Sequence, residues 1–258
     1  MWEKELKAMI EAGKIAQKAI LDVYHGKFDI IIKSDNSPVT EADKQADKII
    51  KEYLSKKFPT YSFLTEESED DLKRLQNDLV FIIDPVDGTQ DFCARNGEFA
   101  TNIALSYKHE IVVGVVVIPC LDDIYYAIKG QGAFYMHEDK IVQIHVSDKL
   151  DDLTLLMSRF HAGEYEQYVV KNDKRIKHVE AFGSSIKACR IARGDGEVYY
   201  RLNEGTKEWD IAPIDLIVKE AGGIFMKPNG ENYRYNKEDV YNHEGFIILN
   251  NISNLFKE

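Results

Sequence analysis

Two aspartates three residues apart, in Asp84-Pro-Val-Asp87-Gly-Thr89, follow directly on a short apolar run from 79 to 83. Carboxylates at that spacing, in a turn containing Pro85 and Gly88, can converge on one hard cation. Ligation by oxygen alone, without His or Cys, suits Mg²⁺. Gly88 lets the backbone approach an anion closely, and a helix starting after Thr89 would aim free N–H groups at a phosphate. Taken alone, the hexapeptide also reads as an ordinary Asp-Pro-x-Asp-Gly turn. Other carboxylates are equally ambiguous one at a time. Glu66-Glu67 fits a solvated surface pair. Asp210, after Trp209, opens a helical pattern where the dipole favours a negative charge. Asp43, three residues after Thr40, completes a capping box.

The elements that must position these groups are legible from periodicity. Leu6, Met9, Ile10, Gly13, Ala16, Ile20 and Val23 recur at helical spacing and predict an opening amphipathic helix. A polar stretch, Lys33-Ser-Asp-Asn-Ser-Pro38, breaks that pattern. A second helix follows, N-capped by Thr40, with Ala46, Ile49, Ile50, Tyr53 and Leu54 on its buried face. The run 79–83 reads as a buried strand ending at Asp84. Phe99, Thr101, Ile103 and Leu105 alternate, and the β-rich runs 111–118 and 124–128 come next. The first half therefore reads as helices on a largely antiparallel sheet. Polar residues from Met136 to Asp152 suggest a junction. Beyond it the pattern predicts strands at 154–157, 198–200 and 246–249, and helices at 185–193 and 209–221. Gly222-Gly223 caps the last helix. The second half reads as α/β.

The whole chain narrows the chemistry. Its 258 residues suffice for one large α/β domain or two intimately packed ones. The composition, 44% hydrophobic and 30% charged, is that of a globular protein rather than a disordered one. The apolar run 111–118 is too short to cross a membrane, and no leader pattern opens the sequence, so a cytoplasmic protein is expected. Cys93, Cys120 and Cys189 lie far apart, against a disulfide scaffold or thiolate zinc site. A net charge of −11 disfavours a nucleic-acid polymer as partner. A small phosphate ester remains accessible to an acidic protein if divalent cations bridge it to carboxylates.

Four pieces in order carry a resemblance: Thr40-Glu-Ala-Asp43; Glu66-Glu67-Ser68; the Asp84 hexapeptide; and Trp209-Asp-Ile-Ala-Pro213 with Glu220-Ala-Gly-Gly223. Over essentially its full length the chain resembles the inositol monophosphatase superfamily of metal-dependent, lithium-sensitive phosphatases. The resemblance implies a layered αβαβα sandwich of α+β / α/β class. Residues 1–146 would form the α+β metal-binding half and 147–258 an α/β half completing the active site. It also implies two or three Mg²⁺ per site and inhibition by Li⁺. Glu66, Asp84 and the carbonyl of Val86 would hold one ion, and Asp84, Asp87 and Asp210 a second. Glu66 would share a third through water. Thr89 and Asp43, with Glu66, would form the catalytic set that orients and deprotonates the attacking water. That chemistry needs no covalent phosphoenzyme, so a missing Cys or Ser nucleophile motif is no obstacle.

Other segments look like the 3'(2'),5'-bisphosphate nucleotidase (CysQ-type) branch of that superfamily: Asp91-Phe-Cys-Ala-Arg-Asn-Gly-Glu-Phe99 with Thr101-Asn-Ile-Ala104, Asp35-Asn-Ser-Pro-Val-Thr40, Ser158-Arg-Phe-His161 and Gly183-Ser-Ser-Ile-Lys187. The branch converts adenosine 3',5'-bisphosphate to AMP in sulfur metabolism. The substrate contacts it implies are Gly88, Thr89, Ser158, His161, Gly183, Ser184, Lys187 and Arg201. Arg201 is the most informative. Inositol-specific relatives carry a glutamate in the equivalent Tyr-Tyr-x stretch, whereas an arginine can fork onto a second phosphate, as Lys187 can from the adjacent helix. Arg201 also reads as a surface arginine ending a strand, and His161 as a loop cap. Phe160 and Leu202-Asn-Glu-Gly205 depart from the branch pattern near the expected nucleoside pocket. An inositol or sugar phosphatase therefore stands as the alternative. A catalytically silent regulator is disfavoured, because all five carboxylates and Thr89 are present. The expected partner is a small phosphorylated molecule, with no membrane; homodimers are common in the superfamily, though no dimer signature is read here.

Overall fold

The computed structural model describes residues 1–32, 38–138 and 140–257. The predicted polar break at 33–38 and the Asp35 to Thr40 motif thus fall largely outside the described residues. Helix α1 (Glu3–His25) buries Ala8, Met9, Ala12, Ala16 and Ile20. Leu6, Ile10 and Val23 are only half-buried, so the inward stripe is rotated toward the small residues. The reason is close approach: a Cβ on Gly13 would lie 2.7 Å from Val117. Two short strands, β1 (Ile31–Ile32) and β2 (Pro38–Val39), pair antiparallel ahead of α2 (Glu41–Lys57). Its capping box is formed as expected. Ala42 N donates to Thr40 Oγ1 at 3.2 Å, and Thr40 N donates to Asp43 Oδ2 at 2.8 Å.

The first sheet runs in order β3 (Ser62–Thr65), β4 (Leu79–Asp87), β5 (Ala100–Tyr107), β6 (Glu110–Ile118), β7 (Asp123–Ile128), β8 (Ala133–His137) and β9 (Lys140–Ile144). Only the β3–β4 pair is parallel. Strands β8 and β9 correct the expected junction at 136–152, since the sheet continues through Ile144 and the connection is 145–152. They were hidden because β9 is an edge whose Ile141 and Val142 face solvent and β8 is mostly half-buried, so neither shows one clean apolar face. Between β4 and β5, Thr89–Cys93 forms a short helix, α3.

The second sheet has the order β11 (Ile176–Phe182), β10 (Leu153–Ser158), β12 (Val198–Arg201), β16 (Phe246–Leu249) and β14 (Ile224–Met226). Helices α4 (Glu164–Asn172), α5 (Ile186–Ala192) and α6 (Glu208–Glu220) complete the layers, and β13 (Thr206–Lys207) pairs with β15 (Tyr241–Asn242). One apolar core joins α1 and α2 to the first sheet. A second joins its other face to α5, α6 and the second sheet, and a third lies between that sheet and α4. The order of layers is α, β, α, β, α.

Helix α6 lies so close on β6 that a Cβ on Gly114 would meet the Pro213 carbonyl oxygen at 2.7 Å. Pro213 lacks the N–H that would serve the carbonyl of Trp209. Asn102 Nδ2 donates to that carbonyl instead, at 3.4 Å. Gly222, at φ +87°, ends the helix in the left-handed region. Among the described residues no helix is long and apolar enough to cross a membrane.

Candidate active site: a carboxylate floor and a cationic wall

Strand β4 loses register with β5 between Asp84 and Asp87, which turns both side chains into a cleft at the strand end. Val86 N donates to Asp84 Oδ1 at 3.1 Å, fixing the turn. Asp210 joins them from the first turn of α6, where its Oδ2 accepts the Lys207 N–H. Carboxylate oxygens of Asp84, Asp87 and Asp210 all lie within 4.8 Å of one another, with Asp84 buried and the other two half-buried. Glu66, just past β3, lines the same cleft, and its N–H donates to Ile83 O at 3.2 Å, extending the β3–β4 pairing.

The electrostatics follow from that convergence. Burial pushes Asp84 well above the usual carboxylate range, and the charges of Glu66, Asp87 and Asp210 push it further. Asp210 is raised to about 7 by burial, then by Asp87 and Glu66. Asp87 is also raised by burial, although Ser185 and Lys187 pull it back. Its Oδ2 accepts from Ser185 N at 2.7 Å, Ser185 Oγ at 2.6 Å and Asn102 Nδ2 at 3.2 Å. Mutually repelling carboxylates with only oxygen donors around them, the Val86 carbonyl included, fit a hard divalent cation.

Asp43 lies one layer behind the cleft, almost fully buried, and burial raises its pKa. Thr89 Oγ1 is 3.3 Å from Asp43 Oδ1 and 3.2 Å from Val86 O, so its single proton can go to either. Gly88, at φ +89°, makes the tight turn before Thr89. The helix expected there exists but spans only five residues.

Facing the carboxylates is a wall lined by Ser158, His161, Ser184, Lys187 and Arg201. Arg201 is no surface residue: it is 8% exposed at the end of β12, and its Nη1 donates to the His161 carbonyl at 3.0 Å. Lys187 is buried and donates to Phe182 O at 3.0 Å and Ser184 O at 2.7 Å. Burial lowers Lys187 to about 8, and Arg201 adds to the lowering. His161 sits exposed at the mouth. Partial desolvation, then Arg201 and Lys187, hold its imidazole below the ordinary value. Gly183 is placed differently from the expectation, outside the cleft lining. A Cβ there would meet Glu98 O at 2.4 Å and the Asp91 carboxylate at 2.5 Å, so its part is to permit backbone contact.

Sequence reasoning missed Ser185, Asn102, Asp91 and Tyr199. Ser185 and Asn102 tie Asp87 in place, and Asp91 and Tyr199 line the cleft. The first three lay inside motifs already singled out, but nothing in their spacing connects them to Asp87. Across strands, Asn102 lies opposite Asp84, a pairing that only the folded sheet reveals.

The profile of the inositol monophosphatase family matches residues 1–255. The chain is 32% identical over 248 residues to 3'(2'),5'-bisphosphate nucleotidase CysQ of Escherichia coli (strain K12), covering 94% of this chain and 98% of that one. It is also 32% identical over 235 residues to Nus factor SuhB of Pasteurella multocida, covering 87% and 85%. Identity alone therefore does not rank these two relatives. The crystal structure of CysQ from Bacteroides thetaiotaomicron matches with a TM-score of 0.84 at 33% identity, over 96% of this chain and 98% of that one. By profile, sequence and fold, this chain belongs to the inositol monophosphatase family.

Proposed function

We propose that this chain is a Mg²⁺-dependent phosphatase that removes the 3'-phosphate from adenosine 3',5'-bisphosphate, leaving AMP and phosphate. The observation that carries the reading is the single cleft in which Lys187 and Arg201 face Asp84, Asp87 and Asp210. A carboxylate floor serves any phosphate ester through bridging cations. Two cationic side chains on the opposite wall call for a second anionic group on the substrate. A neutral polyol monophosphate would leave them unmatched, which disfavours the inositol or sugar phosphatase alternative.

Glu66, Asp84, Asp87, Asp210 and the Val86 carbonyl would hold the metal. Bound there, Mg²⁺ would supply a water of lowered pKa and stabilise charge on the leaving oxygen. The protein's own groups do the rest. Thr89 Oγ1 orients the attacking water and relays its proton toward Asp43 Oδ1. The raised pKa of Asp43 makes it a better proton acceptor than an exposed aspartate. Arg201 and Lys187 bind the 5'-phosphate and orient the ester. The names of the CysQ relatives support this substrate.

The test is to incubate the purified chain with adenosine 3',5'-bisphosphate and Mg²⁺ and to identify the products by chromatography. Equimolar 5'-AMP and phosphate are expected, with turnover abolished by EDTA and inhibited by Li⁺. Adenosine 3'-monophosphate as product, or full activity in EDTA, would sink the proposal.

A further inference from the structure

Two segments singled out from the sequence, the one ending in Glu98-Phe99 and Ser158-Arg-Phe-His161, have no direct link in the chemistry above, yet the fold joins them. Arg159 and Glu98 meet in a planar fork. Arg159 Nε donates to Glu98 Oε2 at 2.8 Å, and Arg159 Nη2 donates to Glu98 Oε1 at 2.6 Å. Glu98 Oε2 also accepts the Gly183 N–H at 2.7 Å, and Arg159 Nη2 also donates to Ala181 O at 2.8 Å. One ion pair thus ties three chain segments: the loop after α3, the end of β10, and the turn between β11 and α5. Each of the last two delivers a residue of the cationic wall, His161 from one and Ser184 from the other.

We infer that Glu98 and Arg159 are positioning residues for the subsite that takes the substrate's second phosphate. The turn carrying His161 is gripped on both sides. Arg159 holds it to Glu98, and Arg201 Nη1 holds the His161 carbonyl. Lys187 Nζ is held by carbonyls of Phe182 and Ser184, which flank the Gly183 N–H that Glu98 accepts. Releasing the fork frees both turns, so Arg201 and Lys187 lose the carbonyls that aim them. The metal-side carboxylates lie on β4, on α6 and just past β3. Ser185 donates to one of them, Asp87, from the second turn, and Asn102 holds that carboxylate from β5 independently of the fork.

The pair's side chains are 20% and 39% exposed, so as a plain ion pair it adds little to stability. Its value is directional, because a bidentate fork fixes orientation as well as distance. The effect should therefore fall on binding of one substrate class and not on folding or chemistry.

The inference rests on the bisphosphate reading, and its test separates the two. Steady-state kinetics of the Mg²⁺-loaded protein are measured for wild type, Arg159→Gln, Glu98→Gln and the double variant. The substrates are adenosine 3',5'-bisphosphate and adenosine 3'-monophosphate. KM for the bisphosphate should rise on the order of ten-fold, with kcat within about two-fold and the monophosphate barely affected, since a misplaced binding group is felt only by the ligand that uses it. Inhibition by 5'-AMP should weaken in step. The double variant should be no worse than the worse single one, because both act through the same fork. Thermal unfolding checks that each variant is folded; if Arg159→Gln is not, Arg159→Lys keeps the charge without the fork and carries the same expectation. Equal losses on both substrates, or an unchanged KM for the bisphosphate in folded variants, would overturn the inference. A wild type with no preference for the bisphosphate would overturn the substrate reading itself, and this inference with it.

Discussion

Asp84 and Asp87 stand three residues apart at the end of one strand, and Asp210 opens one helix. Across the cleft, Lys187 arrives from α5, in the same layer as α6, and Arg201 from β12 in the second sheet. Both sides crowd like charges, but they settle the repulsion differently. The wall is answered in part by the protein itself, since Arg201 and Lys187 donate to backbone carbonyls of His161, Phe182 and Ser184, while the buried Arg201 Nε finds no partner among the described residues. On the floor, Asp87 and Asp210 accept protein hydrogen bonds, yet the carboxylates remain pushed toward protonation. Under the proposed function, the wall would take an anion and the floor would take cations. Changes to the floor should therefore damage the reaction for every substrate, and changes to the wall should damage the choice among them.

The largest effect expected is on the floor. Asp87→Asn or Asp210→Asn keeps the size and removes a charged ligand, so turnover should be nearly lost on all esters while the protein stays folded. The metal-free stability should move the other way. Asp210 has a folded-state pKa of about 7, above the ordinary carboxylate value. Its contribution to stability is thus full below the ordinary carboxylate pKa and lost as pH rises through about 7. In EDTA at pH 8, Asp210→Asn should melt no lower than wild type, and the difference should shrink toward pH 4. A large loss of melting temperature at pH 8 would show that Asp210 holds the fold through its helix cap. Next in size is Thr89→Ala, which removes the proton relay without removing a carboxylate. General-base assistance is worth ~10²–10⁴-fold, and a kcat loss of that order is expected on both substrates with Mg²⁺ affinity nearly unchanged, as titration calorimetry would read.

That contrast also explains what the sequence made legible. The floor is local: a strand end, its turn and one helix start each lie within a few consecutive residues, so motif and spacing expose them. Asp43 was visible for the same reason, as the partner of Thr40 in a capping box. The wall is not local. His161, Lys187 and Arg201 converge through pairing of β10 with β11 and β12, and the contacts of Lys187 and Arg201 are to backbone carbonyls, which carry no residue signature. Gly183, read as a phosphate contact, gives its N–H to Glu98 and has no room for a Cβ, neither of which its sequence neighbours reveal. Strands β8 and β9 escaped for a related reason: β9 is an exposed edge and β8 beside it is mostly half-buried, so neither shows a clean apolar face to find.

On the wall the effects should be smaller and selective. Arg201→Ala removes a charged hydrogen-bond donor worth about 1.5–3 kcal/mol. kcat/KM for adenosine 3',5'-bisphosphate should fall roughly 10- to 150-fold, while adenosine 3'-monophosphate is hardly affected. Equal losses would mark Arg201 as structural. A gentler probe is pH. Lys187, lowered to about 8, loses its charge as pH rises past that value. KM for the bisphosphate should climb between pH 7 and 9 and KM for the monophosphate should not follow. Lys187→Met should flatten the climb; a climb that persists in it would assign the titration to another group.

The division between floor and wall is tested most directly on the wild-type protein, by kcat/KM in Mg²⁺ for adenosine 3',5'-bisphosphate and adenosine 3'-monophosphate side by side. The two differ only in the 5'-phosphate, which under the proposed function the wall would bind and the floor would not need. One charged contact of about 1.5–3 kcal/mol predicts a preference for the bisphosphate of roughly ten-fold or more. Equal rates, or faster turnover of the monophosphate, would contradict the account.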